Sequence, residues 1–141
     1  MKLCELTVSR TIPASAEEVF DVWVDSNTPG GPWFGADRVI INPAVDGLFF
    51  HTVAHEGRNW AHYGRFLAIE RPRRIQHTWV SESTKGVEST VTVTLEPKGN
   101  DATLVTLVHK DVPDDEQGRQ HQDGWDWMLA SLVDRFTKPE A

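Results

Sequence analysis

The chain has 141 residues, with 14 Lys plus Arg against 21 Asp plus Glu and a formal net charge of -7. A chain of this length forms one domain that buries about two-thirds of its unfolded surface without a metal or disulfide staple, and the single cysteine, Cys4, excludes an internal disulfide. The acidic balance, with no basic cluster longer than Arg71-Pro-Arg-Arg74, argues against nucleic acid and anionic membrane as partners, and no apolar run approaches the roughly 20 residues of a membrane span.

Met1-Lys-Leu-Cys-Glu-Leu6 has no apolar signal core, so a cytoplasmic location is expected. Alternation of Leu3, Glu5, Thr7 and Ser9 with Cys4, Leu6, Val8 and Arg10 predicts a first strand over 3–12, stopped by Pro13. Ser15-Ala-Glu-Glu18 has the spacing of a capping box, and Val19, Phe20 and Trp23 give the helix behind it an apolar face that ends near Asp25-Ser-Asn27. Thr28-Pro-Gly-Gly-Pro32 breaks the helix, and Trp33-Phe34 directly after it suggest a lid or pocket mouth. From Asp37 to Asp111 turn residues separate six predicted strands, 37–41, 47–54, 59–69, 74–81, 87–96 and 102–110, which short turns should pair as an antiparallel meander.

Asp114-Asp-Glu-Gln117 reads as a second capping box opening the last and longest helix, where acidic residues suit the positive end of the helix dipole. Trp125, Leu129, Leu132, Val133 and Phe136 form one stripe of a 3.6-residue repeat. Burial of each such side chain contributes roughly 1.5–3 kcal/mol, so the stripe requires a partner surface, and a curved sheet is the one available. Gly124 lies inside this helix, where it costs about 1 kcal/mol relative to Ala, so a close approach to the sheet or to the first helix is expected there. Thr137 to Ala141 reads as a short exposed tail.

Strand parity then sorts the side chains. With 69 and 74 flanking a turn, His62, Gly64, Phe66 and Ala68 share a face with Ile75, His77 and Trp79, while Tyr63, Arg65, Leu67, Gln76 and Thr78 share the other. The polar members of the second set place it toward water. By the same parity Val91, Val93 and Leu95 meet Val105, Leu107 and His109, and residue 51 opposes 62, adding Phe49 and His51 to the interior. The expected ligand-binding set is therefore Trp33, Phe49, His51, His62, Phe66, His77, Trp79, Val91, His109, Trp125 and Leu129, around a cavity between sheet and helix.

No phosphate-binding glycine loop, nucleophile elbow, His-Glu-x-x-His helix or cysteine pair is present. His51, His62, His77 and His109 could converge on a metal, but a sheet spreads side chains in a sloping row unlike a tetrahedral shell, so no metal and no cofactor are expected. They serve better as polar handles in an apolar interior. If a reaction occurs, the candidates for general acid or base are His77 and His109, both neutral through burial and with no interior carboxylate to orient them.

Thr11-Ile-Pro-Ala-Ser-Ala-Glu-Glu-Val-Phe20, the stretch Gly64 to Trp79, Thr103 to His109 and His121-x-x-Gly124-Trp125-x-x-x-Leu129-x-x-Leu132 resemble the activator of heat-shock-protein-90 ATPase homologue family, within the START-related SRPBCC superfamily. The resemblance covers nearly the whole chain. It implies an α+β helix-grip fold, one domain over 1–141, with a seven-stranded antiparallel sheet wrapped around a long C-terminal helix and two short helices after strand 1. For function it implies a binder of a small, largely apolar molecule of lipid-like, polyketide or aromatic type, as a monomer or weak homodimer. A cyclase or dehydratase using a cavity histidine is the alternative, and a co-chaperone-like interaction module a further one; binding without catalysis is the expectation.

Overall fold

The structure, a computed structural model, describes residues 1–25 and 38–137, apart from the side chains of Val53 and His55. Strand β1 (Leu3–Ile12) leads to helix α1 (Ala16–Trp23), then to strands β2 (Val39–Ile41), β3 (Leu48–His55), β4 (Arg58–Glu70), β5 (Arg74–Ser81), β6 (Ser89–Pro97) and β7 (Thr103–Pro113), and to helix α2 (Glu116–Thr137). A 3-10 turn, Glu82–Thr84, joins β5 to β6. The seven strands form one antiparallel sheet in the order β1-β7-β6-β5-β4-β3-β2. This is the α+β helix-grip architecture. Of the two short helices expected after β1, α1 is described; the breaker 28–32, Trp33, Phe34 and the tail beyond Thr137 lie outside the described residues.

Helix α1 starts as its capping box dictates: the Ser15 hydroxyl accepts from the Glu18 amide at 3.2 Å, and the Glu18 carboxylate accepts from the Ser15 amide at 3.3 Å. It buries Ala16, Val19, Phe20, Val22 and Trp23. At α2 the cap differs from the expected box by one residue. Asp115, not Asp114, accepts from the Gly118 amide at 2.8 Å, while Asp114 pairs with Arg119 at 2.9 Å. Gly118 is required here, since a Cβ on it would meet the Pro113 carbonyl oxygen at 1.8 Å. Gly124 is different: among the described residues nothing lies within 4 Å of where its Cβ would be, so no close approach to the sheet or to α1 occurs there.

Helix α2 lies over β1 and β7 and touches the 3-10 turn. It buries Trp125, Leu129 and Leu132 almost completely, whereas Val133 and Phe136 are half-buried at the edge of the core. The pairings Val91 with His109, Val93 with Leu107, Leu95 with Val105 and His51 with His62 follow the expected parity. Between β4 and β5 the register shifts at a bulge between Phe66 and Ala68. There Ala68 pairs with Gln76 while Ile69, paired with Ile75, packs on the core. Thr78, outside the shifted stretch and expected to face water, is nevertheless buried, its hydroxyl accepting from the Arg65 amide at 3.0 Å.

Candidate functional site: a ring of histidines around Trp79

The centre of the site is Trp79 on β5, a residue 4 % exposed whose indole touches side chains from four other elements. His62 on β4 lies 4.8 Å from it, His51 on β3 at 5.2 Å, Phe49 at 5.6 Å, His109 on β7 at 5.9 Å, and Trp125 and His121 on α2 at 4.8 and 6.2 Å, all between ring centroids. His77 sits under Phe49 at 4.7 Å and beside Phe66 at 5.6 Å. His51 and His62 stack on each other at 4.8 Å. These rings converge because positions 49 and 51, 62 and 66, and 77 and 79 share the inward parity of adjacent strands, while α2 supplies 121 and 125 one turn apart.

The hydrogen bonds fix which nitrogen carries the proton in three of the five imidazoles. The Trp125 indole N–H donates to Nδ1 of His109 at 3.0 Å. Nδ1 must therefore be unprotonated, so the ring proton of His109 is on Nε2 and is donated to the Ser89 hydroxyl 2.7 Å away, which itself donates to the Trp79 carbonyl at 2.6 Å. His121 has the opposite arrangement. Its Nε2 accepts from the Trp79 indole N–H at 3.2 Å, and its Nδ1–H donates to the Gly118 carbonyl at 2.9 Å. His77 donates its Nδ1–H to the Thr78 carbonyl at 2.9 Å, which leaves the lone pair of Nε2 open; no hydrogen bond among the described residues ends there. Nδ1 of His62 is also buried without a hydrogen-bond partner among the described residues.

Burial lowers all five rings from their ordinary value. It pushes His77 down to about 4, and His51 to about 3 with help from neighbouring His62 and His77. Burial pushes His109 to about 2, aided by His121, His77 and His62. His62 falls to about 4 through burial and His121, and the carbonyls of Trp60 and His51 pull it partly back without closing a hydrogen bond on Nδ1. His121 is lowered by burial, against a small opposing pull from the Gly118 carbonyl. Among the described residues no Lys, Arg, Asp or Glu is buried, and Asp115, outside the core, favours the charged form of His121.

Phe49, His51, His62, Phe66, His77, Trp79, His109 and Trp125 are thus brought together. Val91 is fully buried between His77 and His109, its partners on either side, and Leu129 is fully buried in the core. Trp33 lies outside the described residues. The rings of this set are in contact with one another, and a depression of about 380 Å³ lies on the β3–β4 hairpin, lined by Ala54, Glu56, Gly57, Arg58 and Asn59. Among the described residues no group of three or more His, Cys, Asp or Glu is arranged to hold a metal ion, and the nitrogens of His109 and His121 are already engaged. Two members of the site escape the parity argument as first applied, His121 and Ser89. Both carried a signal: His121 is four residues before Trp125 on the same helical stripe, and Ser89 shares the parity of Val91.

A chain-length comparison with protein families matches the model described as "Activator of Hsp90 ATPase homolog 1-like protein" over residues 13–137. Among solved structures, a Chromobacterium violaceum protein is 20% identical with a TM-score of 0.80, covering 96% of this chain and 99% of its own. An HSP90 activator from Plasmodium falciparum is 19% identical with a TM-score of 0.77, covering 99% and 100%. A dimeric protein from Colwellia psychrerythraea is 16% identical with a TM-score of 0.73, covering 99% and 100%. At these identities the likeness speaks for the fold. No curated protein matches the chain significantly.

Proposed function

The chain belongs to the Activator of Hsp90 ATPase homolog 1-like family, and from that premise we propose that it binds a small, largely apolar, ring-bearing molecule against Phe49, His77 and Trp79 on the concave face of the sheet. One observation carries this reading: four imidazoles are buried and a fifth, His121, half-buried around one indole, and among the described residues Nε2 of His77 and Nδ1 of His62 have no hydrogen-bond partner. Packing alone is served at least as well by Leu and Phe, because each buried polar group without a partner costs roughly 1–3 kcal/mol. Polar atoms retained at that cost, among aromatic faces, are what a site for a mainly apolar ligand needs for orientation. Native mass spectrometry of protein purified from its own host tests the proposal: a retained organic molecule of a few hundred daltons supports it, and protein that carries none and quenches no tryptophan fluorescence with a panel of aromatic metabolites counts against it.

The alternative of a cyclase or dehydratase has support at His77 alone, whose open Nε2 lone pair could take a proton from a ligand. His109 is less suited. Although its contact with Ser89 has the distance of a nucleophile–base pair, the indole N–H of Trp125 on Nδ1 keeps the proton on Nε2, and Nε2–H cannot accept from a serine. Chemical turnover of a retained ligand, lost in His77→Gln and kept in His109→Gln, would favour catalysis. The co-chaperone reading draws on the family name and on the Plasmodium falciparum relative, which is named an HSP90 activator.

A further inference from the structure

We infer that this site selects its ligand by an uncharged hydrogen-bond donor, a phenolic or enolic hydroxyl or a ring N–H, delivered to Nε2 of His77, and that it rejects carboxylates. The inference rests on the proposed binding reading and deepens it. His77 is 1 % exposed, and its proton is committed through Nδ1 to the Thr78 carbonyl at 2.9 Å. That bond is local, between adjacent residues, so it holds wherever β5 holds. Nε2 is then an acceptor by exclusion, and no donor among the described residues serves it.

The rest of the cluster strengthens the asymmetry. His109 and His121 have both nitrogens engaged, so neither offers a free donor or acceptor. On the other side of Trp79, Nδ1 of His62 is a second buried nitrogen without a partner among the described residues. Phe49, 4.7 Å from His77, and Phe66, 5.6 Å away, supply aromatic faces against which a flat ring can lie. No buried Lys or Arg is present among the described residues to pair with an anion, and burying an unpaired carboxylate is far more costly than burying a hydroxyl that finds an acceptor. An ether or hydrocarbon of the same shape would leave Nε2 unserved. That loss of one hydrogen bond to a buried acceptor corresponds to about tenfold in affinity.

The experiment uses three probes of one shape, 2-naphthol, 2-methoxynaphthalene and 2-naphthoate, titrated into the full chain at pH 7.5 with tryptophan fluorescence and calorimetry as readouts. The expected order is naphthol about tenfold tighter than the ether, and the ether tighter than the carboxylate by about a hundredfold. In His77→Phe the naphthol should fall to the affinity of the ether, whose own binding changes little. Because that variant could fold poorly, the wild-type protein carries a second readout: with ¹⁵N-labelled histidine, the Nε2 resonance of His77 should move from that of an unprotonated, unbonded nitrogen toward that of a hydrogen-bonded acceptor when naphthol is added, and stay in place with the ether. Equal affinities for naphthol and ether, or an unmoved Nε2 resonance, overturn the inference while leaving ligand binding intact. Tight naphthoate binding with proton uptake overturns it too, since it would mean that His77 charges to meet an anion. No binding of any probe overturns both this inference and the binding reading beneath it.

Discussion

The indole N–H of Trp125 points at Nδ1 of His109 from 3.0 Å, so a helix donor and a strand acceptor close the interior through a neutral bond. A protonated His109 would carry hydrogen on both nitrogens and face that indole donor to donor. The bond therefore keeps the ring neutral as burial does, and it ties α2 to β7.

Replacing Trp125 by Phe keeps most of the ring packing and removes the donor. The expected loss is about 1–3 kcal/mol in urea denaturation, because Nδ1 of His109 would be left buried without a partner. The same variant frees Nδ1 to carry the proton. The ¹⁵N spectrum of His109 should then show a mixture of tautomers, and an unchanged Nε2–H pattern would mean that Ser89 alone sets it.

Acid should unfold this protein cooperatively. For each buried histidine the folded-state value lies below the ordinary 6.5, at about 4 for His62 and His77, about 3 for His51 and about 2 for His109. Above pH 6.5 both folded and unfolded chains hold these rings neutral and nothing is lost. As pH falls below 6.5 the unfolded chain takes up protons that the folded one refuses, so stability declines by about 1.4 kcal/mol per pH unit for each such ring until its folded value is reached. Denaturation free energies measured between pH 7 and pH 5 check this. His77→Phe should flatten the slope by about one proton, and a flat profile for the wild type would show that the rings charge freely in the fold.

Leu132 is fully buried on the face of α2 that meets the sheet. Its replacement by Ala should cost about 2–5 kcal/mol. A loss under about 0.5 kcal/mol in chemical denaturation would mean that the helix is not docked through this stripe.

Gly124 and Gly118 sit in the same helix and should respond in opposite ways to Ala. At Gly124 the added methyl meets nothing within 4 Å among the described residues, so the gain in helix propensity should stabilise by about 0.5–1 kcal/mol. At Gly118 the methyl would run into the Pro113 carbonyl, 1.8 Å from its ideal position, so the helix start must shift and thermal stability should fall. Matching thermal melts of the two variants decide the point.

What the sequence determined by itself is local. The Ser15–Glu18 box, the helical stripe through Leu129 and Leu132, and the pairing of Val91 with His109 and His51 with His62 depend only on side-chain periods of 3.6 and 2 and on turns short enough to carry parity from one strand to the next. The family resemblance was legible for the same reason, since it rests on those repeated local patterns. What tertiary structure decided needed partners distant in the chain. The bulge between Phe66 and Ala68 slips the register next to the β4–β5 turn, so parity counted from that turn predicted Ala68 on the wrong side, while Thr78 keeps its expected parity and only its burial came from tertiary packing. The proton positions on His109 and His121 were set by Trp125, Ser89 and Trp79, which lie 16, 20 and 42 residues away in sequence. A period tells which way a side chain points, but a hydrogen bond also needs a donor and an acceptor within about 3 Å, and only the folded chain sets that distance.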